Sequence, residues 1–191
     1  MKIELINNPT LKFVDSGIGR CYNKGSYSDI EKRDKRISNV CNKYKHKSML
    51  RFVNYIFYVE FSTSVLLEAS RHQVGIDNAF KSTRYCIKDL DICYEKSNNA
   101  KVNELLEKQR LEVIDFIKNN PKIKNDDLKL LLSQAFIYKG QMQFNGQSLQ
   151  HFLNLRSDKS AHYHIRQVAI EMYKQIPNDH KFLFEDYTKG V

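Results

Sequence analysis

The chain is poor in the residues that mark linkers and special scaffolds. Its 191 residues include 3 Pro, 7 Gly, 4 Cys and no Trp. No internal repeat, low-complexity tract or flexible linker interrupts it, and 191 residues suffice for one domain with a substantial core. Hydrophobic residues make up 41% and charged residues 28% of the chain, which excludes a largely disordered protein. We therefore predict one domain over residues 1–191.

The four cysteines, Cys21, Cys41, Cys86 and Cys93, are widely separated. They form no Cys-x-x-Cys pair and have no close His partner of the kind that binds zinc. We expect reduced cysteines used in packing, and we predict no metal site. No cysteine lies in an activating cluster of His or Arg, so the sequence gives little support for catalysis by a thiolate.

Long hydrophobic runs are also missing. The first residues, Met1–Ile6, contain no apolar signal core, and the longest apolar runs are too short to cross a bilayer. We expect no membrane span and a cytoplasmic location.

Acidic residues are outnumbered by basic ones. The chain has 31 Lys and Arg and 22 Asp and Glu, which gives a net charge of +9. This balance favours anionic partners. The basic residues are dispersed and no familiar nucleic-acid motif is present. An enzyme for small phosphorylated ligands is thus favoured over a nucleic-acid binder.

Apolar patterning predicts more helix than strand. Strands are expected at Ile3–Ile6, at Asn54–Phe61 and, with imperfect alternation, at Ala135–Phe144. The regions expected to be helical are Asp29–Tyr44, Ser62–His72, Asn99–Lys118, Leu128–Leu132, Ser148–Arg156 and Ile165–Met172. The pattern predicts an α+β fold with a small, mainly antiparallel sheet covered by helices.

The segments Arg71-His72-Gln73 and Lys81-Ser82-Thr83-Arg84-Tyr85 place guanidinium, imidazole, amide and hydroxyl groups around one expected chain reversal. Arg offers a planar fork of donors that matches phosphate, and Ser and Thr add further donors. The cluster indicates an anion site. A solvated surface loop is the competing interpretation.

A later segment carries a related feature. In Ser148–Arg156, residues Leu149, Phe152 and Leu153 follow the spacing of a buried helical face, and Arg156 takes the next position on it. A guanidinium on a buried face requires an anionic partner, from the protein or from a ligand. Snorkelling of the side chain toward solvent is the alternative.

Together these segments resemble the flavin-dependent thymidylate synthase family. Its first pattern is Arg-His-Arg, seven residues, then Ser-x-Arg. Its second, Asn-x-Arg-Ser-Leu-x-Asn-Phe-Leu-x-Leu-Arg, is matched by Asn145–Arg156. His46 and Ser48 precede Arg71 at about the distance where the family has a His and a small hydroxyl residue.

The chain departs from the family at several positions. Gln73 and Gln147 stand where the family has Arg, and His151 replaces an Asn. The segment between Gln73 and Ser82 is one residue longer than usual. Each lost Arg contact weakens the hold on an anionic dinucleotide by about 1–3 kcal/mol if it is not replaced.

The resemblance implies reductive methylation of dUMP to dTMP, with FAD, methylenetetrahydrofolate and NADPH, in a homotetramer that shares active sites between subunits. Arg156 would bind the uracil edge and support catalysis. The implied substrate-binding residues are Arg71, Ser82, Arg84, Lys129, Arg156 and His46. The implied flavin-binding residues are Ser48, Arg71, His72, Gln73, Asn145, Gln147 and His151.

Two other functions remain open from the sequence. A divergent relative could act on another pyrimidine nucleotide, or bind nucleotide without catalysis and with weakened flavin binding. A basic, non-enzymatic nucleic-acid binder is the third possibility. His162 and His164 fall on different helical faces, so a metal site there is not expected. Asp89, Asp91 and Glu95 are interpreted as an exposed turn.

Overall fold

A computed structural model describes residues 1–189. Four strands form one antiparallel sheet in the order β1-β2-β4-β3, with helices around it. The strands are β1 (Lys2–Leu5), β2 (Asn54–Ser62), β3 (Ile76–Phe80) and β4 (Ile137–Asn145). The predicted α+β class is confirmed.

Eight α-helices accompany the strands in the described part of the chain. They are α1 (Lys12–Cys21), α2 (Ile30–Ile37), α3 (Thr63–Ala69), α4 (Thr83–Cys86), α5 (Ala100–Asn119), α6 (Asn125–Leu128), α7 (Gly146–Arg156) and α8 (Tyr163–Gln175). A π-helical turn, Ser38–Lys43, continues α2. Short 3-10 turns lie at Lys47–Phe52, Ile87–Asp89, Lys129–Leu131, Asn178–Leu183 and Glu185–Tyr187.

The chain folds into two compact units, each formed by segments that are distant in sequence. The first, unit 1, comprises residues 1–2, 59–71 and 79–141. The second, unit 2, comprises residues 3–58, 72–78 and 142–191. The prediction of a single domain over residues 1–191 stays a prediction.

Unit 1 contains the last part of β2, the first part of β4 and the whole of α5. Its core includes Ile87, Ile92, Val113, Ile117, Leu128 and Phe136. The long helix α5 begins where expected, because the Asn99 side chain accepts a hydrogen bond from Val102 N at 3.2 Å. Only Val113 and Ile117 of α5 are buried, and Leu105 remains 67% exposed.

The interpretation of Glu95 as part of an exposed turn was wrong. Glu95 is buried and accepts a hydrogen bond from the backbone N–H of Ser62 at 3.2 Å. A buried carboxylate needs such donors, and here it satisfies an amide at the start of α3.

Unit 2 has an aromatic core. Tyr55 and Phe57 of β2 are fully buried. Phe57 meets Phe144 at 6.2 Å between ring centroids, and Phe144 meets Phe152 of α7 at 5.2 Å. Edge and tilted ring contacts of this kind add to the burial of apolar area.

Strand β3 and helices α1 and α4 were not predicted. The segment interpreted as a chain reversal before Ser82 contains the edge strand β3, in which only Ile76 and Phe80 are partly covered. Helix α1 was missed as well, because its small and polar residues weaken the apolar pattern. Helix α7 starts at Gly146, two residues before the predicted start at Ser148.

We expect Tyr55→Phe to lower the free energy of unfolding by about 1–2 kcal/mol, the cost of one lost buried hydrogen bond. The Tyr55 hydroxyl lies 2.8 Å from Nδ1 of His180, which is 2% exposed and would lose its partner. Urea unfolding measures the change. Tyr85→Phe is the matched control, since Tyr85 is 74% exposed. Equal stabilities of the two variants would contradict a role for this bond.

Candidate active site

The site in unit 2 is organised by the N-terminus of α7. Asn145 precedes the helix in an extended conformation, and its Oδ1 accepts a hydrogen bond from Ser148 N at 2.9 Å. Asn is a favoured residue at this position because it satisfies a helix amide that has no partner within the helix. The side-chain oxygen of Asn145 therefore has a structural partner.

The loop that follows His72 is attached to this helix start. The Ser148 hydroxyl donates to the carbonyl of Val74 at 2.6 Å, and Asn145 N donates to the carbonyl of Gly75 at 3.0 Å. Gly75 has a φ of 69°, in the left-handed region that favours glycine. A Cβ at Gly75 would lie 2.5 Å from Ser148 Oγ and closer still to Asn145 Nδ2. Only glycine permits this close approach.

This attachment brings His72 against the exposed end of α7. Nε of Arg156 donates to Nε2 of His72 at 2.9 Å, although 84 positions separate them. The His72 ring also lies edge-on to Phe152 at 5.1 Å and to His151 at 5.6 Å between centroids. The structure thus unites His72, His151 and Arg156, all predicted site residues.

His72 is uncharged in this arrangement. Burial and the neighbouring Arg156 and His151 lower the pKa of His72 from 6.5 to about 4. A neutral ring that accepts at Nε2 carries its proton on Nδ1. Arg156 follows the buried residues Phe152 and Leu153 on α7 and is itself half-buried at the end of the helix.

A cavity of about 410 Å³ in unit 2 unites other predicted residues. We call it the Ser48 cavity. His46 and Ser48 line it with Gln147 of α7, and Nδ1 of His46 lies 3.4 Å from the hydroxyl of Tyr22. The remaining lining residues are Cys21, Tyr22, Val40, Lys45, Lys47 and Met49. Within residues 1–189 no carboxylate lines the Ser48 cavity, so its charged groups are cationic.

Sequence reasoning missed Arg51. Its Nε donates to Oε1 of Gln147 at 2.7 Å, across 96 positions. A guanidinium is therefore held at Gln147, the position where the family pattern has Arg. The only signal in the sequence was an Arg three residues after Ser48, which has no meaning until the contact with Gln147 is seen.

Unit 1 holds the other predicted cations. Nε of Arg84 lies 3.4 Å from one carboxylate oxygen of Asp126, and Nζ of Lys129 lies 2.9 Å from the other. Lys129 and Arg84 hold the pKa of Asp126 below its usual value. Arg84 and Lys129 are therefore neighbours, as predicted, but the carboxylate that joins them was not anticipated.

Three further predicted residues are exposed. Ser82 precedes α4 without a side-chain capping bond, and Arg71 follows α3. Gln73 lies in the loop of unit 2. Within residues 1–189, no hydrogen bond, ion pair or ring contact joins Arg71 to Arg84 or Lys129.

A family model described as thymidylate synthase complementing protein matches residues 13–179. The chain belongs to this family. This confirms the resemblance read from the two motifs.

Within residues 1–189, no helix has the length and apolarity that crossing a membrane requires.

Relatives and solved structures of this family match nearly the full chain. The flavin-dependent thymidylate synthase of Campylobacter jejuni (strain RM1221) is 30% identical, over 97% of this chain and 96% of its own. The flavin-dependent thymidylate synthase of Wolinella succinogenes is 30% identical, over 96% of this chain and 97% of its own. A crystal structure of the Helicobacter pylori flavin-dependent thymidylate synthase complexed with FAD and dUMP is 27% identical, with a TM-score of 0.84 over 99% of this chain and 100% of its own.

The pKa of His72 predicts how stability responds to acid. Unfolded His72 takes up a proton near pH 6.5, whereas the folded residue stays neutral until about pH 4. The contribution of His72 is complete above pH 6.5 and is lost as the pH falls to about 4. We expect His72→Gln, whose amide oxygen still accepts from Arg156, to lose less stability over this range.

Urea unfolding at several pH values between these limits checks this expectation. Burial also lowers the pKa of His180, but that contribution is common to both proteins. The difference between wild type and variant therefore reports His72 alone. Parallel pH curves for the two proteins would show that His72 is not held neutral.

Proposed function

We propose that this protein is a flavin-dependent thymidylate synthase that converts dUMP to dTMP. Methylenetetrahydrofolate is the carbon donor and NADPH the reductant. The main observation is that His72 of the first motif meets the second motif: the loop after His72 docks on α7, and His72 accepts a hydrogen bond from Arg156. Family membership over residues 13–179 supports the same activity.

The Ser48 cavity has the chemistry that FAD requires. A dinucleotide combines a pyrophosphate with a flat ring rich in acceptors, and the cavity offers Lys45, Lys47, Ser48 and Gln147 without a carboxylate among the described residues. We propose that Ser48 and Gln147 hold FAD there. Asn145, His72, His151, Gln73 and Arg71 complete the proposed flavin set. Bound flavin supplies the hydride that reduces the transferred carbon.

The nucleotide is assigned to the remaining cations. We propose that Arg84, Lys129 and Ser82 hold the dUMP phosphate, with Arg71 between nucleotide and flavin and His46 beside the nucleotide. Asp126 keeps Arg84 and Lys129 together when phosphate is absent. Phosphate then competes for donors that are already gathered, which lowers the entropy cost of ordering two long side chains.

Arg156 has the catalytic role in this proposal. Its guanidinium faces the uracil edge and stabilises the negative charge that develops as C5 becomes nucleophilic. His72 orients Nε of Arg156 through a neutral acceptor, so the hydrogen bond fixes direction without cancelling the positive charge. A carboxylate at position 72 would neutralise that charge.

Several properties stay predictions. Assembly into a homotetramer with shared active sites is implied by the resemblance and is one of them, and a cytoplasmic location is another. A divergent activity on another pyrimidine nucleotide, or binding without catalysis, is the alternative function. It is motivated by Gln73, Gln147 and His151 in place of the family residues.

We expect the purified protein to carry oxidised flavin that bleaches with NADPH, and to add one methyl group to dUMP in the presence of methylenetetrahydrofolate. Mass analysis of the nucleotide measures the gain. Bound flavin with no product from dUMP would favour the alternative.

Arg156→Ala should reduce turnover by about 10²–10³-fold, the usual effect of one lost charge-stabilising donor. Arg20→Ala, at an exposed helix end, is the control.

The Arg51–Gln147 contact makes a separate prediction. Arg51→Ala should weaken FAD binding by about tenfold, since a hydrogen bond to a charged group is worth about 1.5–3 kcal/mol. The exchanged variant Arg51→Gln/Gln147→Arg keeps one guanidinium and one amide at the same place, so it should restore most of the affinity. Quenching of flavin fluorescence measures both. Loss of binding in the exchanged variant equal to that of Arg51→Ala would contradict the assignment.

A further inference from the structure

A second cavity in unit 2 has no role in the reaction described so far. It measures about 510 Å³, and we call it the Lys35 cavity. It shares Tyr22 and Val40 with the Ser48 cavity, so the two adjoin. Its other lining residues are Ile18, Lys24, Tyr27, Lys32, Lys35, Arg36, Asn39 and Tyr44.

The wall of this cavity is fixed by a buried ion pair. Asp15 is 1% exposed and accepts from Nε of Arg36 at 2.8 Å and from Tyr27 N at 2.9 Å. Nη1 of Arg36 donates to the carbonyl of Gly25 at 2.9 Å, and its guanidinium lies 4.2 Å from the centroid of the Tyr27 ring. The loop between α1 and α2 is therefore pre-organised around Arg36.

Close packing reinforces the same loop. A Cβ at Gly19 of α1 would lie 2.6 Å from the carbonyl oxygen of Lys24. This backbone approach fixes the point from which the Lys24 side chain leaves the loop. The cavity is thus a built feature of the fold and does not require a ligand to form.

The charge of the cavity comes from its lysines. Asp15 neutralises Arg36, which leaves Lys24, Lys32 and Lys35. Lys32 lies 3.9 Å from Asp29 in an exposed pair, and within residues 1–189 no carboxylate pairs with Lys24 or Lys35. The rings of Tyr22 and Tyr44, 52% and 62% exposed, line the same cavity as these lysines.

We infer that the Lys35 cavity binds the tail of the folate co-substrate, an aromatic ring followed by glutamate carboxylates. The inference rests on the proposed function. Tyrosine rings offer stacking surfaces for the aminobenzoyl group, and ammonium groups on flexible stems follow a flexible chain of carboxylates. A phosphate is more often held by Arg forks or backbone amides, and the one Arg here is already paired. The shared wall at Tyr22 and Val40 lets one folate reach both cavities.

The test uses p-aminobenzoyl-pentaglutamate, which lacks the reacting pterin, and measures its binding to the full chain by titration calorimetry. Lys24→Ala/Lys35→Ala should weaken binding by about fivefold, the scale expected for two exposed ion pairs. Lys101→Ala/Lys122→Ala removes the same charge from unit 1 and should have no effect. The monoglutamate analogue should respond less than the pentaglutamate, because it carries fewer carboxylates.

A second arm uses 2′,5′-ADP, which carries the phosphate that distinguishes NADPH. Lysine-dependent binding of this probe without lysine-dependent binding of the pentaglutamate would overturn the folate assignment. Binding of neither probe, or equal loss in the control variant, would overturn it as well. Since these measurements need no turnover, failure to form dTMP from dUMP would count against the proposed function alone.

Discussion

The close approach at Gly75 is the constraint on which the unit 2 site depends. The loop after His72 can meet the first turn of α7 only where residue 75 lacks a side chain. The Asn145 N–H and the Ser148 hydroxyl then donate hydrogen bonds to backbone carbonyls of that loop, while the Asn145 side chain caps the helix. The position of His72 beside Arg156 follows from these contacts, so a site built from segments 84 positions apart is fixed by one glycine and one helix cap.

The cations of this chain are held in three different ways, and each suits a different task. Asp15 is buried against Arg36, which turns that guanidinium into a structural element of a loop. Asp126 is shared and exposed, so Arg84 and Lys129 stay exchangeable toward another anion. Arg156 is oriented by a hydrogen bond to the neutral imidazole of His72, and that contact does not cancel the guanidinium charge. Formal charge alone distinguishes none of these.

The sequence predicted elements that depend on local patterns. It could not predict contacts between residues that are distant in sequence. Strand β2 and helices α5, α7 and α8 have strong periodicity, and the predicted positions agree with the structure to within about three residues. Strand β3 is a mostly exposed edge stabilised by its neighbour, so its own residues carry little signal. Arg51, Asp126 and Glu95 act through partners distant in sequence, and only the fold reveals them.

Gln147 shows why a changed motif residue is weak evidence for a lost function. A flavin pocket requires a guanidinium at a particular position in space. Residues at more than one position in the sequence can supply it. Here Arg51 approaches from the turn before β2 and is held by the amide that occupies the motif position. A guanidinium is then retained beside the motif position although the linear pattern is not. Gln73 has no such substitute contact among the described residues, so the two departures carry different weight: the change at Gln147 moves a charge, whereas the change at Gln73 removes one.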